Sequence, residues 1–152
     1  MATSVSIGWQ IDDLAKFDDS LEEWKLRMEA ANKRIVDRGG QIIANNAKLR
    51  FGSGDGAPTP GKPTRRTGQT QDSYETRSTS QGLGSWMSET GPTVKWGRRL
   101  ELGYHGVDSL GRNYGPPNKG QPPYPSLGPG LRASRYELDD MVHEEWEIAQ
   151  NG

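Results

Sequence analysis

The chain contains no cysteine. That excludes disulfides, thiolate metal sites and thiol nucleophiles together. Apolar residues are also scarce, at 31% of 152 positions with a mean hydropathy of -0.89. Globular chains carry about 45–50% apolar residues when glycine is counted, and the 20 glycines bring this chain only to the low end of that range. The expectation is one domain over residues 1–152 with a thin core. No run approaches the roughly 18 apolar residues of a membrane span. The opening MATSVSIGW has neither the basic nor the apolar region of a secretory signal. A soluble chain made in a cytoplasm, without a membrane partner, is therefore expected. An excess of one charge is missing too: the formal charge is -1 and the pI about 6.1. Nucleic-acid-binding domains are usually basic.

The apolar surface that is present sits in a few large side chains, including five tryptophans. Val5, Ile7 and Trp9 alternate, as in a short strand. IDDLAKF follows as a helical turn or two. Ser20 and Glu23 then have capping-box spacing before an apolar stripe. Leu21, Trp24, Met28, Ala31, Ile35, Ile42 and Leu49 form that stripe, with Glu22, Lys25, Glu29, Lys33 and Asp37 opposite. The pattern predicts a long amphipathic helix ending near Phe51. Gly39-Gly40 inside it predicts a kink or a close crossing, because each glycine costs about 1 kcal/mol relative to alanine.

Residues 52–69 read as a Pro/Gly-rich loop. DSYETRSTS and GSWMSETG read as strands with a turn near Gln81-Gly82, and PTVKW as a third strand. Residues 103–121 form a second long loop. PGLRASRYELDDMVHEEWEIAQ reads as one helix with Leu131, Leu138, Met141, Val142 and Ala149 inward. Pro129 sits near its first turn, where a missing N–H is harmless. The fold class is α+β: a small antiparallel sheet packed against a long N-terminal helix and a C-terminal helix.

Several clusters invite chemistry. Asp139, His143 and Glu147 share a helix face, as do Asp140 and Glu144, and such faces can ligate zinc. Acidic residues fill the solvated face of most amphipathic helices, and that reading prevails. His105 near Asp108 could be a base with its orienter, but no nucleophile motif accompanies the pair. The glycines of FGSGDG follow a helix and lead into a Pro-rich stretch, unlike a phosphate-binding loop. Lys62, Arg65 and Arg66, with Arg98 and Arg99, could meet nucleic-acid phosphates; solvated loops and ion pairs explain them as well. No enzyme signature survives, and no cofactor or metal is expected.

The order of the pieces resembles another kind of protein. Thr67-Gly68 and Ser73 follow the basic loop. Trp96-Gly97, Leu100, Glu101 and Gly103 close the next stretch, and Pro122, Pro123, Tyr124 and Leu127 lead into the last helix, which Leu131 opens. This pattern, over roughly residues 11–150, is similar to the neck and tail-completion proteins of long-tailed bacteriophages, which join the DNA-filled head to the tail. Thr70 stands where such proteins have Leu, Trp96-Gly97 replaces Tyr-Ala, and Leu102 replaces an aromatic.

The resemblance implies a structural virion protein without catalysis, assembled as a ring, six subunits being the usual number. It implies head–tail stopper or connector proteins and a tail terminator or tail tube as partners, with DNA passing through the lumen without sequence-specific contacts. A tail terminator ring is the alternative, and a DNA-binding module a more distant one. Subunit contacts would fall on Trp96, Arg98, Arg99, Glu101, Tyr104, Arg112, Tyr114 and Tyr124, and channel contacts on Lys62, Arg65 and Arg66. The loop after Gly103 is expected to be a contact arm, ordered in the ring and mobile outside it. The location implied is the virion neck, reached from the host cytoplasm.

Overall fold

A computed structural model describes residues 11–52, 68–115 and 120–151. The strand expected around Val5–Trp9 and most of the 52–69 loop, with Lys62, Arg65 and Arg66, lie outside these residues. Helix α1 runs unbroken over Ile11–Lys48, 38 residues, or about 57 Å at the standard rise. Ser20 is therefore no N-cap. Its hydroxyl donates to the Lys16 carbonyl at 2.8 Å, one turn back inside the helix. The upstream residues contain no glycine or proline to stop a helix, and Asp12 and Asp13 suit the positive end of the helix dipole. A Ser-x-x-Glu spacing starts a helix only where the preceding residues cannot continue one.

The short helix α2 (Gln69–Asp72) leads into a hairpin of β1 (Tyr74–Gly82) and β2 (Ser85–Pro92). The two strands pair antiparallel from Tyr74↔Pro92 to Gly82↔Ser85, with an irregularity between Ser80 and Gly82. The turn itself falls at Leu83-Gly84, two residues beyond the expected place. Gly82 and Gly84 adopt positive φ there, and they carry Leu83 at φ 50° on the exposed tip. Asn32 of α1 ties the tip down through the Gly84 carbonyl at 3.2 Å.

The third strand does not form. Thr93 makes the last sheet-like bond, from its N–H to the Ser73 carbonyl at 3.0 Å. The chain then turns (Gly97 N–H to Val94 carbonyl, 2.9 Å) into helix α3, Gly97–Leu102. Gly97 allows this because a Cβ there would lie 2.6 Å from the Pro92 ring. The C-terminal helix is likewise two: α4 (Leu127–Ala133) and α5 (Arg135–Asn151). At the break, the Ser134 hydroxyl and N–H both reach back to the Gly130 carbonyl, a local competitor of helix continuation. Asn46 fixes the corner through the Ser134 hydroxyl at 2.9 Å. The redirected chain leaves Leu131 half exposed rather than inward.

One helix, α1, is the spine to which everything else attaches. Its core face is built from small residues, Ala31, Gly39, Gly40, Ala44 and Ala47, all buried. Neighbours therefore come close: Gly39 abuts Leu138 and Met141 of α5, and Gly40 abuts Thr76, Thr90 and Ser88 of the hairpin. The expected close crossing is real, without interruption of the helix. Tyr74 packs on Ala44 and Ala47, with Phe51 and Leu127 against them.

α5 is held by charge as well as packing. Glu145, 3% exposed, accepts from Arg34 at 2.6 Å and from Arg38, while Glu144 takes the other Arg38 nitrogen at 3.0 Å. The Arg34 hydrogen bond holds the Glu145 carboxyl below its ordinary pKa of 4.5; burial works the other way and loses, and Arg38 adds to the lowering. A depressed carboxyl contributes stability above its unfolded-state pKa that disappears as pH falls through the folded one. Glu145→Gln is thus expected to lose about 1–3 kcal/mol near neutral pH. That deficit should shrink as pH drops below 4.5, read from urea midpoints at several pH values. A pH-independent deficit would count against this ion pair as its source.

Candidate assembly interface

The segment from Lys95 to Leu127 holds most of the residues marked by the sequence, and a single carboxylate organises it. Glu101 lies on the inner side of α3. It accepts the Ser126 hydroxyl, the Ser126 N–H at 3.0 Å, the Leu127 N–H at 3.3 Å and the Tyr74 hydroxyl at 3.0 Å. Ser126 itself is completely buried and also meets Tyr74. One side chain thereby joins α3, the start of α4 and β1. Negative charge beside the first N–H groups of a helix is favourable both as hydrogen bonding and against the dipole. Burial pushes the Tyr74 phenol well above its ordinary value; Ser126 opposes the shift and the Glu101 charge adds to it. The phenol therefore stays protonated and acts as a donor. Glu101 is half-buried and acts as an internal tie.

The outer side of α3 is basic and apolar. Lys95, Arg98, Arg99, Leu102, Gly103 and Tyr104 line a concavity of about 300 Å³. The Arg99 guanidinium lies 4.1 Å from the centre of the Tyr104 ring, and Tyr114 meets the same ring in an edge contact at 5.6 Å between centroids. Trp96 is half exposed and donates its indole N–H to the Thr70 hydroxyl at 2.9 Å.

The described part of the loop after Gly103, residues 104–115 and 120–121, is tied by local backbone bonds. Tyr104 and Gln121 exchange both backbone bonds, at 2.9 and 2.8 Å, and Val107 bridges to Asn113. At its tip the buried Asp108 accepts from the N–H groups of Leu110 and Arg112 and from the Arg112 side chain at 2.6 Å. Burial would raise that carboxyl, but the Arg112 and Leu110 bonds outweigh it and hold it below the ordinary range. Asp108 thus serves the turn and Arg112 rather than orienting His105, which is exposed. Tyr124 closes the arm by donating its backbone N–H to the Leu100 carbonyl at 2.7 Å.

The structure thus brings Arg99, Tyr104 and Tyr114 together, with Trp96 and Arg98 on the same short helix and its lead-in. Arg112 is engaged by Asp108, with Tyr114 within electrostatic reach, and Glu101 is half-buried against Ser126 and Tyr74. Sequence reasoning missed Lys95 and Leu102 in the concavity, and Ser126 and Tyr74 on Glu101. A helical reading of residues 97–102, which were given no element from the sequence, is the signal that would have separated Glu101 from Arg98 and Leu102. Among the described residues, no three His, Asp or Glu side chains are grouped so as to hold a metal ion. None of their helices is long and apolar enough to cross a membrane.

A second surface, exposed among the described residues, lies at the other end of α1. Leu14, Phe17, Leu21 and Trp24 follow a three–four spacing and are 48%, 53%, 46% and 47% exposed. The hairpin tip reaches only as far as Trp24, where Leu83 and Gly84 complete a shallow hollow with Met28 and Asn32. No family model, curated protein or solved structure matches this chain.

Proposed function

We propose that the chain is a non-enzymatic assembly subunit. It forms a ring, six copies being the number the sequence resemblance implies, at the junction of a bacteriophage head and tail. DNA would pass through the lumen, with Lys62, Arg65 and Arg66 as the channel-facing candidates. The observation that carries the reading is the exposed seam of α1. A lone helix holding four large apolar side chains half in water is stabilised when a neighbour covers them. Among the described residues, a thin buried core of alanines and glycines with Tyr74 and Met141 gives the isolated chain little apolar surface of its own to bury. The arm on α3, tied internally by Glu101, supplies a rigid platform for contact with stopper, terminator or tube proteins.

Electron microscopy and native mass spectrometry of the protein, alone and with purified virion parts, test the proposal. Closed rings that co-purify with virions are expected. A protein that is strictly monomeric and absent from virions would sink it.

A further inference from the structure

The two exposed surfaces have opposite character. Residues 11–24 of α1, IDDLAKFDDSLEEW, carry Asp12, Asp13, Asp18, Asp19, Glu22 and Glu23 against Lys16 alone. The exposed seam of Leu14, Phe17, Leu21 and Trp24 runs through this acidic stretch. The α3 concavity carries Lys95, Arg98 and Arg99 around exposed Trp96 and Leu102. Its one carboxylate, Glu101, is turned inward onto Ser126 and Tyr74. An overall charge of -1 therefore conceals a segregated distribution, an acidic apolar helix and a basic apolar seat.

The two cannot meet within one chain. Tyr74 ties α3 to Ala44 and Ala47, and Gln71 bonds the Lys48 carbonyl, so the seat lies at the C-terminal end of α1. From Trp24 to Lys48 the helix spans about 36 Å. We propose that residues 11–24 of one subunit lie in the α3 seat of a second copy, so that contacts run head to tail. The proposal rests on the assembly reading and names the surfaces that perform it. A contact between two different patches repeats from copy to copy, and it closes into a ring when its rotation divides a full turn. Self-pairing of two α1 seams is disfavoured: side by side in parallel, it would bring the two acidic stretches together.

Charge reversal tests the pairing. Asp18→Lys with Glu22→Lys makes the helix basic, and Lys95→Glu with Arg98→Glu makes the seat acidic. All four positions are exposed, so far-UV circular dichroism should be unchanged. Each double variant alone should associate at least tenfold more weakly than wild type at low salt, because like charges then face each other. Mixing the two variants restores opposite charges at every contact, as does combining all four changes in one chain. Both should recover association, and closed rings from the mixture should contain only even numbers of subunits. A photo-crosslinking residue at position 21 should capture residues 95–104 of another copy.

Reversals that leave assembly untouched, or a mixture that fails to recover, would overturn this interface while leaving a ring of other geometry standing. Crosslinks to residues 1–10 or to another α1 would overturn it in favour of those occupants. Wild-type protein that stays monomeric up to about 1 mM, a contact weaker than roughly 4 kcal/mol, would overturn it as well. Virion incorporation, measured separately, then decides whether the assembly reading falls with it.

Discussion

Glu101→Ala is expected to destabilise the domain by about 3 kcal/mol, measured as a shift in urea midpoint at constant slope. The figure follows from what the carboxylate serves. It accepts from two backbone N–H groups at the start of α4 and from the hydroxyls of Ser126 and Tyr74. Deleting it leaves Ser126, which is fully buried, and Tyr74, 5% exposed, to satisfy each other as best they can. A buried donor without a partner costs about 1–3 kcal/mol, more than the net worth of an ordinary hydrogen bond. Glu101→Gln sharpens the test. It keeps the shape, but its amide can present only one acceptor oxygen to a site where every neighbour donates, so most of the loss should remain. Tyr74→Phe removes a single donor and should cost about 1 kcal/mol. A loss below that for Glu101→Ala would mean the tie is ornamental. The variant should also lose the seat for a second copy, because α3 is anchored to α4 through this carboxylate.

How much of this was legible beforehand depends on the range of the interaction concerned. The stripe along α1, the paired strands and the close approach at Gly39-Gly40 are written in local spacing, and the structure carries all three. The capping box at Ser20 misled because local spacing says nothing about whether the preceding residues are already helical. PTVKW alternates like a strand, yet after the Thr93 bond to Ser73 the chain turns at Val94–Gly97 into a helix instead. Its continuation into α3 is decided by Pro92 against Gly97 and by Glu101 reaching Ser126, partners 25 residues apart. Contacts of that length leave no periodic trace. The same holds for Leu131, whose exposure follows from the corner at Ser134 and Asn46. Trp24 and Leu21 were legible as members of an apolar stripe. Their exposure was not, since it depends on where the hairpin and α5 stop.

Gly130→Ala isolates the tightest of these long-range approaches. In a helix the change should stabilise by about 1 kcal/mol on propensity alone. At this position a Cβ would lie 2.8 Å from the Ala47 nitrogen and 2.9 Å from its Cα, within the backbone of α1. A flexible side chain could swing away; a backbone in the middle of the spine cannot. α4 must move off α1, and overpacking of this kind costs about 1–3 kcal/mol. The net expectation is a loss of about 1–2 kcal/mol, propensity gain included. Gly128→Ala, two residues earlier in the same helix, is the matched control. Its Cβ would meet only the end of Arg132 at 3.8 Å, on an exposed position. Its propensity gain is offset because the residue before Pro129 is disfavoured in the helical region once it carries a Cβ, so the change should stay within about 1 kcal/mol of neutral. A larger loss at 130 than at 128, even though only 128 carries the restriction of a residue before proline, would come from what Gly130 faces. Equal effects would show that α4 does not rest on Ala47, and with that the placement of Ser126, of Glu101 and of the basic seat on α3 would have to be redrawn.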